Sequence, residues 1–410
     1  MRRICLVTTG QPSTNPRLVK EADALVAAGY EVRVVGAHWA AWADATDRTL
    51  LGTRQWSCDL VDWRRSTRPA RFWTTRARHA MARRLVHGLG GTRIQLAAIH
   101  RVGPELARQA RRVEADLYIA HNLGALPAAM AAAGTEVPVG FDAEDFHSGQ
   151  LGDRDRTQRA LTERIERTWL PRCAYVTAAS PGIADAYARL CGIDLPRVVL
   201  NVFPLADRPA ALKATSGDPV QLYWFSQTIG PDRGLEDAVR AMSLLRPGAT
   251  ELHLRGTWQA GYEVALRRLA EGVGVRAHAI VHHHPAEPSE MARLAARHDV
   301  GLALEPPVSE NNDILWSNKV FTYLLAGLPV VLSRTTGQAR LAHELGPASA
   351  TYAPGDAQAM ATALAPWVSG QAMLGDARAH AWTLGTTRFN WDIEQERFLD
   401  TVAQVVPVRS

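Results

Sequence analysis

Residues 317–331, Ser317-Asn318-Lys319-Val320-Phe321-Thr322-Tyr323-Leu324-Leu325-Ala326-Gly327-Leu328-Pro329-Val330-Val331, read as a helix that runs straight into a strand. Ser317 and Asn318 are helix-capping residues, and Leu324-Leu325-Ala326 favour a helix interior. Gly327 suits the left-handed position that ends a helix, and Pro329 stops its continuation. Val330-Val331-Leu332 then reads as a short strand buried on both faces, so the unit belongs to parallel α/β architecture. Lys319 is out of place by charge, because an ammonium in the first turn faces the positive end of the helix dipole. It makes sense where an anion is shared between the helix N-terminus and the ammonium group. A solvated lysine is the plain alternative. Against it, lysine occurs only at Lys20, Lys213 and Lys319, among many arginines.

Working outward, 410 residues exceed one ordinary core and predict two domains. A content of 47% hydrophobic and 21% charged residues is that of a globular protein. No apolar run approaches the roughly 18–20 residues that span a bilayer. Ile4-Cys5-Leu6-Val7 after Met1-Arg2-Arg3 is too short for a signal-peptide core, so a cytoplasmic location is expected. Cys5, Cys58, Cys173 and Cys191 lack metal-type spacing and read as reduced thiols. The net charge of +5 points to an anionic partner without naming it.

Ile4-Cys5-Leu6-Val7 is a first buried strand, followed by a polar loop from Thr8 to Arg17 that contains Gly10. Asn15 is a natural N-cap and Pro16 suits the first helical position; the helix stops at Gly29 and Glu31–Gly36 gives the second strand. This βαβ unit lacks G-x-G-x-x-G, so no dinucleotide fingerprint is read, and the turn is as consistent with an ordinary connection as with ligand contact. Two further strands end in polar clusters, Asp116–Ala120 in His121-Asn122 and Val137–Phe141 in Asp142-Ala143-Glu144-Asp145-Phe146-His147. Open α/β sheets place their ligands beyond such strand ends. The carboxylates could hold Mg²⁺, act as a base or bind sugar hydroxyls, or Asp145 could simply cap the next helix; no further ligand set supports a metal.

Between Asp62 and Arg112 arginines interleave with Trp63, Phe72 and Trp73. A solvated face is the default reading, and an interfacial surface for anionic lipid or a phosphorylated acceptor follows; no nucleic-acid module accompanies the stretch. Residues 207–218 read as the linker between domains. Beyond it, Leu222–Phe225 is a strand leading into the loop Ser226–Glu236, where Arg233 precedes a helix and could hold a phosphate with it. His282-His283-His284 alternates across a strand and reads as polar strand-end residues, not as a metal site. Glu305 ends the strand Val300–Leu304.

With these segments assembled, the chain resembles the GT-B glycosyltransferases, in particular the large retaining family GT4. Ser13-Thr14-Asn15-Pro16-Arg17-Leu18-Val19-Lys20-Glu21 is similar to that family's N-terminal loop and first helix. Asp142-Ala143-Glu144-Asp145 resembles its acceptor-side Asp-x-His-Glu segment, and Asn318–Tyr323 with Ala326–Val331 its donor-side helix. Asn390-Trp391-Asp392 and the helix through Phe398 resemble the last helix, which in this fold crosses back to the N-terminal domain.

The resemblance implies an α/β chain of two Rossmann-like domains facing each other across a cleft. Residues 1–205 would form the acceptor side, 206–385 the nucleotide-sugar side, and 386–410 the returning helix. It implies transfer of a sugar from a nucleoside-diphosphate sugar to a small-molecule, glycan or lipid-linked hydroxylated acceptor, with retention and with no metal or cofactor. A sugar-nucleotide epimerase of the same fold and a non-catalytic binding subunit are the alternatives. Donor and phosphate contacts fall to Gly10, Asn15, Gln227, Arg233, Glu305, Lys319 and Thr322, and catalytic roles to Asp142, Glu144, His121 and His147. Three positions depart from the family's pattern. Thr322 stands where a ribose-binding Glu is common, Gln227 where a pyrophosphate-binding Arg is common, and Glu144 where a His is common.

Overall fold

The computed structural model describes residues 1–89, 91–152, 156–214 and 217–408. The chain divides into two compact units, one of residues 1–199 with 395–410 and one of residues 200–394. The sequence boundaries of 205/206 and 385/386 are therefore placed at 199/200 and 394/395. Residues 215–216 of the expected linker lie outside the described residues.

The first unit is built on a seven-stranded parallel sheet: β1 Arg3–Thr8, β2 Glu31–His38, β3 Ser57–Asp62, β4 Leu117–His121, β5 Val139–Ala143, β6 Tyr175–Ala178 and β7 Arg197–Val198. The spatial order is β3-β2-β1-β4-β5-β6-β7, so the winding reverses between β1 and β4. Strands β4 and β5 are buried along their whole length, as strands covered by helices on both faces must be. Helix Pro16–Ala27 follows β1 and starts as its sequence predicts, with Asn15 Oδ1 accepting from the Leu18 amide at 3.0 Å. The chain returns to this unit within helix Trp391–Val405, and the Tyr30 hydroxyl donates to the Val406 carbonyl at 2.8 Å.

The second unit carries six parallel strands: β8 Val220–Ile229, β9 Thr250–Trp258, β10 Ile280–His283, β11 Val300–Ala303, β12 Val330–Ser333 and β13 Ser349–Tyr352. Their order, β10-β9-β8-β11-β12-β13, reverses between β8 and β11. The segment that opened the sequence reading forms helix Asn318–Leu325 and strand β12, with Gly327 at φ +71° between them. The helix lies hard against β11: a Cβ on Gly301 would come within 2.4 Å of the Tyr323 ring, and the Tyr323 hydroxyl donates to Leu302 O at 3.0 Å.

Strand ends differ from their sequence readings, since β4 and β5 run on through His121 and Asp142. β8 does not stop at Phe225 but continues to Ile229, because a bulge between Phe225 and Thr228 restores pairing of Thr228 with Thr257 and of Ile229 with Trp258. Gln227 therefore sits exposed on a strand and not in a loop. The turn that follows Asp145 is the 3₁₀ turn Ser148–Gln150, whose N-cap position is His147. Among the described residues, no helix is long and apolar enough to cross a membrane.

Candidate functional site

In the first unit the strand ends around the β1/β4 reversal enclose a cavity of about 450 Å³. The loop after β1 supplies Thr8, Thr9, Gly10, Thr14 and Asn15 to its wall; the end of β4 supplies Asn122 and the end of β5 Glu144. Trp39, Trp63 and His100 form its aromatic side. The loop is held in place by its own polar groups. Thr9 Oγ1 donates to Asn122 Oδ1 at 3.0 Å, and Gly10 O accepts from the Ala37 amide at 3.1 Å. A Cβ on Gly36 would lie 2.6 Å from that same carbonyl, so β2 and the loop touch backbone to backbone.

Beneath the cavity lies a fully buried charge network. Arg17, one position inside helix Pro16–Ala27, grips Asp142 with two bonds of 2.7 Å and donates a third, of 2.8 Å, to Val199 O. Its Nε is also 3.3 Å from Glu21, one turn on. His121 stands between the two acids, 3.2 Å from Glu21 and 3.5 Å from Asp142. Thr177 Oγ1 completes the Asp142 carboxylate at 2.7 Å. Burial works against every charge here, but pairing decides the outcome for three of them. Arg17 is held more firmly protonated by Asp142 and Glu21, Asp142 is held below the usual carboxylate range by Arg17, and His121 is pushed upward by Glu21. Glu21 goes the other way, raised by burial and by repulsion from Asp142.

Glu144 is the carboxyl that reaches the cavity. It is half-buried, and burial together with the Asp142 charge lifts it to about 7, so at neutral pH it both gives and takes a proton. His147 is turned to a structural task. Its Nε2 accepts from the Leu123 amide at 3.2 Å and burial lowers its pKa, so the neutral ring fixes the turn after β4.

In the second unit the corresponding reversal brings the donor-side candidates together. Glu305 follows β11, and its Oε1 is ion-paired with Lys319 Nζ, which also lies 5.6 Å from the centre of the Trp224 ring. The Glu305 carbonyl accepts from Ser333 Oγ at 2.6 Å, tying the segment after β11 to the end of β12. Thr322, one turn beyond Lys319, is 1% exposed, and its Oγ1 and Glu305 Oε2 are buried with no hydrogen-bond partner. Gly234, at φ +73°, starts helix Leu235–Leu244 against the end of β11; a Cβ there would lie 2.6 Å from Leu304 O. Arg233 is exposed immediately before that helix start.

The sequence-predicted residues thus divide. Gly10, Asn15 and Glu144 share one cavity; Lys319, Glu305 and Thr322 share one strand-end cluster, with Arg233 at the neighbouring helix start. Asp142 and His121 lie under the cavity, not in its wall, and His147 braces its rim. Arg17 and Glu21 were not singled out from sequence, although an Arg in the first turn with a Glu four residues later was the available signal. Trp39 and His100 come to the cavity from separate segments, which no local pattern reveals, whereas Asn122 belongs to the polar pair read at the end of β4.

A further cluster of titratable groups joins His283, read in the sequence only with its neighbours, to two histidines from distant segments. His253, His283 and His298 converge on one face of the second sheet, His253 Nδ1 being 2.9 Å from His283 Nε2. Burial and mutual proximity keep all three neutral, with His283 lowered to about 4 and His298 to about 3.

The sequence matches no protein-family profile and no curated protein. The fold, however, is similar to solved structures along its whole length. HepE from Anabaena, solved in complex with UDP, superposes with a TM-score of 0.69 at 16% identity, covering 98% of this chain and all of the other. Sucrose-phosphate synthase from Thermosynechococcus elongatus superposes at 0.65 with 15% identity, covering 99% of each chain. Two all-parallel sheets, each reversing its winding order once and carrying its polar cluster at that point, make this a chain of the GT-B fold.

Proposed function

We propose that this chain is a glycosyltransferase, taking a sugar from a nucleoside-diphosphate sugar bound by the second unit and passing it to a hydroxylated acceptor bound by the first. The observation that carries this reading is the polar set around helix Asn318–Leu325. There the Lys319 ammonium, ion-paired with one Glu305 oxygen, lies in the first turn of a helix beyond the strand ends, together with the second Glu305 oxygen and the Thr322 hydroxyl, both buried without partners. Helix N-terminus and ammonium together suit a diphosphate. Glycosyl transfer builds negative charge on the departing nucleoside diphosphate, and Lys319, Arg233 and the start of helix Leu235–Leu244 are the fixed positive groups that would stabilise it. A phosphate taking one side of Lys319 would free Glu305 to bind ribose hydroxyls, a task for which Thr322 is too short. On this reading the reaction is metal-independent and retaining, the acceptor proton passing to a donor phosphate oxygen. Structures of HepE hold UDP, UDP with glucose, or UDP-glucose, which supports a donor of this chemical class.

The cavity of the first unit has the character of an acceptor site. Trp39 and Trp63, the latter with the Arg101 guanidinium 4.5 Å from its ring centre, offer apolar surface to the C–H faces of a sugar, while Thr9, Asn122 and Glu144 offer hydrogen bonds to hydroxyls. Helix Pro69–Leu89 adds a surface suited to a lipid-linked acceptor at an anionic membrane on the cytoplasmic side. Trp73, Met81 and Leu85 are exposed on it, beside exposed Arg65, Arg68, Arg71, Arg76 and Arg84.

The test is calorimetric titration with UDP, GDP, ADP and dTDP, repeated on Lys319→Ala. One nucleotide should bind, and the variant should lose about 1–3 kcal/mol, the usual cost of removing a charged hydrogen bond. The Lys319–Glu305 pair favours a second reading, a binding unit without transfer, since the cation already has a partner. Absence of binding to all four nucleotides rejects the donor site; binding without sugar transfer to any hydroxylated acceptor selects the second reading.

A further inference from the structure

The face of the second sheet that carries Tyr223 brings three histidines together from three separate segments. His253 is on β9, where it pairs with Tyr223 on β8 and with Val281 on β10. His283, two residues beyond Val281, therefore projects from the same face. His298 comes from the turn just before β11. Each offers one ring nitrogen, and the three nitrogens lie within 4.8 Å of one another. Tetrahedral ligands about 2.0–2.1 Å from a zinc ion are about 3.4 Å apart, so a small closure of this triangle would complete three corners of the site.

The second ring nitrogens carry the argument further. His253 Nε2 is 3.3 Å from the Glu251 carboxylate, and His298 Nδ1 is 3.2 Å from the Ala295 carbonyl. Both partners are pure acceptors, so each of those nitrogens carries the proton, and His253 Nδ1 and His298 Nε2 keep their lone pairs. A carboxylate or carbonyl behind the imidazole is the arrangement that orients metal-binding histidines. The rings are also held in place. His298 stacks on Tyr223 at 4.2 Å, and the Tyr223 hydroxyl accepts from Arg255 Nε at 2.8 Å. Lys213, whose charge acts on His253 and His298, is 3.5 Å from Asp299, which offsets it.

We propose that His253, His283 and His298 form a site for a divalent transition-metal ion of zinc type, with water or a small anion as fourth ligand. Imidazole-only ligation suits Zn²⁺, Co²⁺, Ni²⁺ or Cu²⁺ and excludes Mg²⁺ and Ca²⁺. Without metal, His283 Nε2–H donates to His253 Nδ1; on binding, that proton moves to His283 Nδ1 and the Nε2 lone pair turns to the ion, so no proton is released. The ion would staple the edge strand β10 to β9 and to the turn entering β11. The site is structural and independent of the proposed glycosyl transfer.

The experiment uses the full chain, stripped with chelator, with Zn²⁺ as the probe in calorimetry and thermal unfolding and Co²⁺ as the spectroscopic probe. The variants are His283→Gln, half-exposed on an edge strand and so tolerant of change, and His284→Gln as the control for neighbouring surface histidines. The expected result is one Zn²⁺ per chain, a midpoint raised by several degrees, and intense tetrahedral Co²⁺ absorption. Affinity should fall at least tenfold in His283→Gln and stay unchanged in His284→Gln. Absence of saturable binding overturns the proposal, as does binding that survives His283→Gln or is lost in His284→Gln.

Discussion

Replacing Arg17 with Met removes the cation that holds two buried acids together and keeps most of the volume. The guanidinium makes two bonds to Asp142 and one to Val199 O, at 2.7–2.8 Å, and its side chain is 0% exposed. Hydrogen bonds to charged groups contribute about 1.5–3 kcal/mol each, but much of that is consumed in desolvating the partners. What the substitution reads is the cost of leaving Asp142 and Glu21 buried without their cation, about 3–5 kcal/mol. Denaturant unfolding at pH 7 measures it, with Arg17→Met/Asp142→Asn as the second arm. The double variant should recover part of the loss, because the stranded charge has gone.

The pH dependence distinguishes this account from a simple packing defect. Asp142 is held below its unfolded value, so its contribution is present above about pH 4 and lost as pH falls through the folded value. The gap between wild type and Arg17→Met should therefore narrow in acid. His121 is raised above its unfolded value, so its contribution is present below about pH 6.5 and lost as pH rises through the folded value. With Arg17 gone, the acids bind His121 more strongly in its charged form, and the variant should lose stability more steeply above neutrality. A loss under about 1 kcal/mol, or a gap that does not change with pH, would refute the reasoning.

Two further outcomes follow from the same geometry. Glu144→Gln should lower kcat/KM for the acceptor at least tenfold, by weakening the hydrogen bonds to its hydroxyls, and remove an ionisation near pH 7 from that profile, while nucleotide binding stays as in wild type. Because the folded protein holds the Glu144 proton more tightly than the unfolded chain, wild-type stability should decline between about pH 4.5 and 7, a decline the variant lacks. On helix Pro69–Leu89, Trp73→Ser with Arg68→Glu and Arg76→Glu should abolish cosedimentation with anionic vesicles at low salt. Equal sedimentation of wild type with anionic and neutral vesicles would rule that surface out.

What the sequence disclosed, and what it concealed, follows the range of the interactions. Helix starts and stops are local: Asn15 caps its helix and Gly327 ends another because their own backbone positions demand it. Buried strands are nearly as local, since Leu6, Ile119 and Val331 sit in unbroken apolar runs. The strand-end position of Glu144 and Glu305 could be read for the same reason. Partnership could not. Lys319 was read as facing an anion or solvent, yet it meets Glu305, fourteen residues away in sequence and adjacent because β11 abuts helix Asn318–Leu325. His121 was counted as catalytic from its place after a strand, but Glu21 and Asp142 enclose it completely. The three neighbouring histidines 282–284 were rightly divided by strand alternation, which sends His283 towards β9, where His253 and His298 wait. The same alternation that argued against a metal among sequence neighbours thus supplies one corner of a site among spatial ones. Whether a charged or ligating side chain works on substrate or on its own protein is set by what the sheet order brings opposite it, and that order is a property of the whole winding.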